Sequence, residues 1–354
     1  MASSSIAEGS SKATPRTTGS VGYDPEFAET TAPFRTALAS IRKSLPHPDP
    51  KTALELRANT EVLIRTTFPH IEDDGILKET AHTVTSFDGV SITVTRWATE
   101  AHNAPLGPSE PPRRAVLHIH GGGFITGSVK DFSPMVKRDV LSWDTQVFAV
   151  GYRLAPENPA PGPVEDCYAA LAWLSAHAAE FGVDPARIVI VGPSAGGGVA
   201  AGLALVARDR RLSPPVAKAV LVYPMLDDRT IGRYGEDWPV REFLMWTEPQ
   251  NAIGWRAYLG EERAGRADAE VSVYDAPGRA SVKDLVGLPS MYIDTGSLDL
   301  FRDEDIAYAA RLVEANVQTE FHLYPGVPHA FESAGTPGVV KAALENRRRA
   351  ICSV

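Results

Sequence analysis

Near the start of the chain, apolar residues return to one face at helical spacing. Phe27, Phe34, Leu38, Ile41 and Leu45 predict a helix over Phe27–Leu45, and after the break Pro46-His47-Pro48-Asp49-Pro50 the pattern resumes over Leu54–Ile64. The period then shortens. Strands read as Thr83–Phe87, Ser91–Thr99, Ala115–His120, Val147–Tyr152, Ile188–Val191, Ala219–Tyr223, Met291–Thr295 and Thr319–Tyr324. The first two are split by Asp88-Gly89 and predict a hairpin. After Ala115 strands alternate with helical patterns, among them Val164–Ala178, Gly197–Arg208 and Arg302–Glu314. Such alternation predicts a largely parallel sheet covered on both faces, with chemistry at the carboxyl ends of its strands.

Between Asp227 and about Ser281 the alternation fails. Trp238, Phe243, Met245, Trp246, Trp255, Tyr258 and Leu259 lie there amid turns, which predicts an insertion above the sheet that lines an apolar pocket and joins the N-terminal helices as a lid; ordinary core packing is the other role open to these aromatics. The expected organisation is a disordered tail over 1–22, cap helices over 23–75, a core over 76–226, a cap insertion over 227–281 and the rest of the core over 282–354.

Composition narrows the class. With 354 residues, 44% of them apolar, the chain can fill a full core. Its net charge of −9 is spread along the sequence, which argues against nucleic acid or an anionic membrane as partner and suits a small neutral or apolar molecule. The opening MASSSIAEGSSKATPRTTGSVGY lacks the apolar run of a signal peptide, and no later stretch approaches the ~18 apolar residues of a spanning helix, so no stable membrane insertion is expected. Cys167 and Cys352 form neither a disulfide framework nor a metal-ligand spacing. The expectation is a cytoplasmic protein without a cofactor; its oligomeric state is left open.

Two glycine-rich signatures carry the chemistry. His120-Gly121-Gly122-Gly123-Phe124 follows one predicted strand. Gly192-Pro193-Ser194-Ala195-Gly196 stands between the strand Arg187–Val191 and the small-residue helix Gly197–Arg208, the strand-turn-helix context of a nucleophile elbow. Gly192 and Gly196 permit a reversal that a β-carbon would forbid, holding the Ser194 hydroxyl above the sheet edge. A phosphate cradle is the other reading of the first signature, but no Gly-Lys-Ser/Thr follows it and the spacing of a dinucleotide fingerprint is absent. Together the two point to acyl transfer by a serine hydrolase.

A serine hydroxyl needs a histidine base and a carboxylate to orient that base, and in the elbow fold the chain order is Ser, acid, His. After Ser194 only His322 and His329 remain. His322 falls within a strand, on its more polar face, whereas His329 falls in the loop just past that strand and is the better base. Asp299 follows the strand Met291–Thr295 and precedes a helix, which makes it the expected acid; a helix N-cap is its bland role, and Asp227 is the alternative acid. His118 and His120 share a strand face without an evident third metal ligand, so core packing and loop bracing are expected of them. Asp166 is expected to be structural, and both cysteines inert.

HGGGF, Tyr152-Arg153-Leu154-Ala155-Pro156-Glu157, GPSAGGG, Asp299-Leu300-Phe301-Arg302-Asp303-Glu304 and the run from Pro325 to Phe331 (PGVPHAF) together resemble the hormone-sensitive-lipase-like branch of the α/β-hydrolases, from about Ser91 onward. The resemblance implies an α/β-hydrolase fold, a mostly parallel central sheet flanked by helices, with a helical cap. It implies a carboxylesterase acting on small-molecule esters of short to medium acyl length, with Ser194 as nucleophile, Asp299 as acid and His329 as base. The backbone amides of Gly122, Gly123 and Ala195 would form the oxyanion hole, with His120, Gly121, Gly192 and Gly196 bracing the two motifs. One position departs from the pattern: Pro193 stands where the branch usually has an acidic residue or threonine. An arylformamidase-like amidase would use the same machinery, and receptors on this scaffold lack the base that His329 supplies here.

Overall fold

The period-two apolar runs pair into one sheet. The computed structural model describes residues 21–67, 75–107 and 109–354; the tail expected over 1–22 lies outside these residues apart from Val21 and Gly22. Helices α1 (Pro25–Lys43) and α2 (Ala53–Thr67) come first, then the hairpin β1 (Leu77–Thr85) and β2 (Ser91–Thr99) and a short α3 (Glu100–Asn103). From there β3 (Arg113–Ile119), α4 (Val129–Trp143), β4 (Gln146–Gly151), α5 (Gly162–His177), β5 (Val183–Pro193), α6 (Ala195–Asp209) and β6 (Lys218–Val222) alternate. The segment with α7 (Glu248–Leu259) and α8 (Val282–Leu285) intervenes before β7 (Ser290–Gly296), α9 (Arg302–Glu314), β8 (Thr319–Tyr324) and α10 (Gly338–Cys352).

Among the described residues the strands form an eight-stranded sheet in the order β1-β2-β4-β3-β5-β6-β7-β8. β2 pairs antiparallel with β1 and β4, and every pair from β4 to β8 is parallel. Side chains alternate between two cores, as strand geometry requires. Leu117, Ile119, Ile190, Leu221 and Ile293 face α5, α6 and α9, while Val116, Val189, Val191, Val220 and Tyr292 face α4 and α10. Helix α6 is buried from Ala195 to Ala207 on every side, which its run of glycine, alanine, valine and leucine permits.

The expected hairpin is present, but its first strand begins at Leu77 rather than Thr83 and stops at Thr85. Only Leu77 and Val84 of this edge strand are buried, so its polar residues hid its length, and Phe87 is an exposed turn residue. Helix α10 has no counterpart among the expected elements. Its buried side carries Arg347 beside Val340, Ala343, Ala350 and Ile351, placing a charge where an apolar residue would have marked the face.

The segment 227–281 is clamped at its root. Arg279 makes two bonds to Asp228, at 2.7 and 2.8 Å, Gly278 N–H donates to the Leu226 carbonyl at 2.8 Å, and Gly265 N–H donates to Asp228 at 2.7 Å. Higher up, Trp255, Tyr258 and Leu259 are fully buried, and the rings of Trp255 and Tyr258 pack on Phe124 at 4.8 and 4.3 Å. The N-terminal helices reach the same region. Arg42 of α1 donates to the Met245 carbonyl at 3.1 Å, and Arg57 of α2 donates to the carbonyls of Ile125 and Ala155 at 2.6 and 2.8 Å. No helix among the described residues is long and apolar enough to cross a membrane.

Candidate active site

Four parallel strands end on one side of the sheet, and the loops that leave them carry the expected site residues. Ser194 follows β5, the HGGGF loop follows β3, Asp299 follows β7 and His329 follows β8. Ser194 is the N-cap of α6 with φ 58° and ψ −125°, a sparsely populated conformation for a side chain-bearing residue. Its backbone is fixed on both sides. The amide donates to Val222 at 2.9 Å, and the carbonyl accepts from Gly197, Gly198 and Met225 at 2.9, 3.1 and 2.9 Å. An N-cap serine ordinarily turns its hydroxyl back to the helix amides. Here no such cap bond forms, and Oγ lies 3.0 Å from Nε2 of His329.

His329 Nδ1 lies 2.8 Å from Oδ2 of Asp299. A carboxylate only accepts, so Nδ1 carries the hydrogen and Nε2 is left free to accept from the serine hydroxyl. The other oxygen of Asp299 accepts from Phe301 N–H at 3.0 Å, and the residue is fully buried. Asp299 is therefore not the N-cap of α9; that position belongs to Phe301. The alternative acid, Asp227, is turned to Arg229, at 2.7 and 2.8 Å. His322 is bonded to Glu320 at 2.6 Å, away from the site.

The two glycine motifs interlock. A β-carbon on Gly196 would stand 2.1 Å from the Ile119 carbonyl oxygen, so only glycine lets the elbow pack against the end of β3. Gly192 meets the Gly196 carbonyl just as closely, and Gly121 lies beside Ser194 Cβ. The loop then passes through Gly122 at φ 121°, Gly123 at φ 60° and Phe124 at φ 66°. Ala195 opens α6, so its N–H is one of those a helix cannot satisfy internally. His120 donates from Nδ1 to the Gly121 carbonyl at 2.8 Å, stacks on Tyr152 at 4.3 Å, and its own carbonyl accepts the Tyr152 hydroxyl at 2.8 Å. Burial pushes its pKa down to about 4 and that of His118 down to about 3, so both rings are neutral braces. Among the described residues no group of three His, Cys, Asp or Glu side chains is placed to hold a metal ion.

Asp166 is structural, as expected: fully buried on α5, it accepts from Ser86 Oγ at 2.5 Å and from the backbone and guanidinium of Arg153 at 2.7 to 3.0 Å. Pro193 ends β5 in register with Val222 and lines a small cavity of about 130 Å³ together with Arg138, Asp139, Glu332 and Arg347. Several contacts had no signature in the sequence. Trp246 covers Gly123, Arg57 holds the HGGGF loop from outside, and the Tyr223 ring meets the His329 ring edge-on at 4.6 Å. Each joins residues far apart in the chain, and none lies in a local pattern.

Comparison with known proteins agrees with this architecture. A family model described as alpha/beta hydrolase fold matches residues 116–333. The esterase LipI of Mycobacterium tuberculosis is 34% identical over 253 residues, covering 71% of this chain and 75% of LipI. Carboxylesterase NlhH of the same species is 34% identical over 248 residues, covering 68% and 72%. The solved structure of a bacterial heroin esterase superposes with a TM-score of 0.78 at 35% identity, covering 94% of this chain and 98% of that one. The chain belongs to the α/β-hydrolase family, in its hormone-sensitive-lipase-like branch, and is a carboxylic ester hydrolase.

Proposed function

We propose that the chain is a serine carboxylesterase that hydrolyses short- to medium-chain esters through Ser194, His329 and Asp299. The observation that carries this reading is the unbroken relay of 3.0 Å from Ser194 Oγ to His329 Nε2 and 2.8 Å from His329 Nδ1 to Asp299. Ser194 Oγ attacks the ester carbonyl while His329 takes its proton, and the amides of Gly122, Gly123 and Ala195 hold the oxygen of the tetrahedral intermediate. The C–O bond to the alcohol breaks as His329 returns the proton to the leaving oxygen. Water then attacks the acyl-enzyme with His329 again as base, releasing the acid and restoring the serine.

The N-terminal helices and the segment 227–281 act as a cap over this centre. Supporting that role, Arg42 joins the two segments to each other, and Arg57 and Trp246 bring them onto the HGGGF loop. The indole over Gly123 narrows the space beside the proposed hole, which favours short acyl groups. Cys167 and Cys352 are both unpaired, which fits a reducing compartment such as the cytoplasm.

The test combines labelling with a substrate panel. Fluorophosphonate should modify Ser194 and no other serine, and p-nitrophenyl esters from acetate to laurate should peak at the short end. Ser194→Ala should lose both labelling and turnover. An unlabelled Ser194 in an active preparation would reject the mechanism.

A further inference from the structure

Behind His329 lies a buried ionic chain that the proton relay does not use. The Tyr223 ring meets the His329 ring at 4.6 Å and 63°, and its hydroxyl donates to Glu332 Oε1 at 2.5 Å. Glu332 stands three residues after His329 and pairs with Arg347 of α10 at 2.9 Å. Arg347 makes two further bonds to Asp294 of β7, at 2.7 and 3.0 Å, and Asp294 also accepts the Tyr292 hydroxyl at 2.9 Å. The side chains of Glu332, Arg347 and Asp294 are 3%, 7% and 0% exposed, too dry for an incidental surface pair.

The backbone is constrained around the same point. Ser194, Tyr223 and Ala330 all have positive φ, at 58°, 35° and 54°. They are the proposed nucleophile, the residue whose ring meets the proposed base, and the residue that follows that base. Such conformations persist in side chain-bearing residues only where the surroundings over-determine them. Tyr223 is held by its N–H, which donates to the Asp294 carbonyl at 2.6 Å, and by its hydroxyl. Burial drives the phenol far above its ordinary pKa, so it stays a donor at working pH. Burial also pushes the Glu332 carboxyl up, but Arg347 and the Tyr223 hydroxyl outweigh it and leave the group below the usual carboxylate range, hence ionised.

We propose that Tyr223 and Glu332 are positioning residues for His329: Tyr223 fixes the imidazole plane between Asp299 and Ser194, and Glu332 supplies a second negative charge behind the imidazolium that forms during turnover. The inference rests on the assignment of His329 as base. The groups facing the imidazole are Asp299 at Nδ1, Ser194 at Nε2, and the rings of Tyr223 and Phe301, the latter at 5.2 Å. Two carboxylates against one guanidinium leave the buried chain with one net negative charge, and the Arg138–Asp139 pair of α4, which borders the same cavity and bonds at 2.9 Å, adds one charge of each sign. Pro193 adds none, although it borders the same cavity as Glu332 and Arg347.

Purified full-length wild type, Tyr223→Phe, Glu332→Gln and His329→Ala are compared with p-nitrophenyl butyrate across the pH range, with melting temperature recorded for each. Tyr223→Phe keeps the ring and the ion pairs; it should lose about tenfold in kcat with KM within about twofold. Glu332→Gln should move the acidic limb of kcat/KM to lower pH by about half a unit or more, because a neutral neighbour stabilises the imidazolium less. Wild-type kcat in Tyr223→Phe, or an unmoved limb in a folded Glu332→Gln, overturns the proposal. Should Glu332→Gln not fold, Tyr223→Phe decides alone. Full activity in His329→Ala would overturn the base and this inference with it, whereas an inactive His329→Ala beside a fully active Tyr223→Phe overturns the inference alone.

Discussion

The indole of Trp246 lies on Gly123: its Cη2 stands 2.5 Å from the point where a β-carbon on Gly123 would be. The contact ties the segment 227–281 to the loop that supplies the proposed oxyanion donors, and under the proposed function it makes Trp246 a wall of the acyl site. Replacing it with alanine opens room for further methylenes, each worth about 0.8 kcal/mol when buried. Trp246→Ala should therefore raise octanoate turnover relative to butyrate about tenfold or more, allowing for only part of four extra methylenes being covered. An unchanged chain-length profile would place the acyl group elsewhere.

Asp299 and Asp227 are the two candidate acids for His329, and their hydrogen bonds differ: Asp299 bonds His329 and Asp227 bonds Arg229. In the proposed relay Asp299 orients the imidazole through Nδ1, so Asp299→Asn presents an amide that can stabilise the wrong tautomer; kcat should fall roughly ten-thousand-fold with little change in KM. Asp227 is engaged with Arg229 at the start of the 227–281 segment. Asp227→Asn should stay within about threefold of wild type, since it removes only a partly exposed ion pair. Steady-state kinetics on both variants checks the assignment, and the reverse order of damage would exchange the two roles.

What was legible in the sequence was local. Ser194, the glycines around it and the HGGGF loop stand in short patterns, because the elbow and the loop require small residues wherever two main chains approach, as Gly196 approaches Ile119. Strand β8 and helix α9 have the predicted bounds, since their chain neighbours are turns. Asp299 and His329 could be narrowed by chain order and strand ends. The rest depended on contacts between distant residues. Nothing near Arg347 announces that α10 is buried on Glu332 and Asp294, and nothing in the aromatic run 238–259 separates Trp246, which covers the loop, from Trp255, which enters the core. Pro193 was legible as a departure, but its neighbours Arg138 and Asp139 come from α4 and have no sequence relation to the elbow.

The neutral histidines of β3 and the HGGGF motif give a pH dependence with a definite sign. Burial holds His118 and His120 at pKa values of about 3 and about 4 in the folded protein, against ~6.5 in the unfolded chain. Above the unfolded value neither state binds a proton, and the stabilisation is complete. As pH falls below ~6.5 the unfolded chain takes up protons that the folded chain refuses, so stability is lost at about 1.4 kcal/mol per pH unit for each ring. Asp275, raised to about 6 by burial, works in the opposite direction, so the total slope is mixed. The difference between wild type and His118→Asn isolates one ring. Urea titrations between about pH 6 and pH 4.5 should show wild type losing about 1.4 kcal/mol more per unit. Parallel stability curves would mean that His118 is protonated inside the fold.

The clamp at the root of the 227–281 segment makes a separate prediction about stability. Asp228 is fully buried and Arg279 nearly so, and the guanidinium also donates to the carbonyls of Arg266 and Ala269 at 2.8 and 3.1 Å. Removing one partner of a buried pair costs about 3–5 kcal/mol, because the other charge is left in the dry interior. The two carbonyls offset part of that charge, so Asp228→Ala should lie near the lower end, about 3 kcal/mol. Asp228→Ala with Arg279→Met removes both charges and should recover more than half of the loss, since an apolar side chain of similar length fills the same space. Urea unfolding of the single and double variants measures both values. Hydrogen exchange adds where the damage falls: amides between residues 227 and 281 should lose protection first in the single variant, while β5 and β6 keep theirs, because the bonds that close the segment lie at its root and outside the sheet. A loss below about 1 kcal/mol, the range of an exposed pair, would mean that water reaches Arg279 and that Gly278 and Leu226 hold the segment without it.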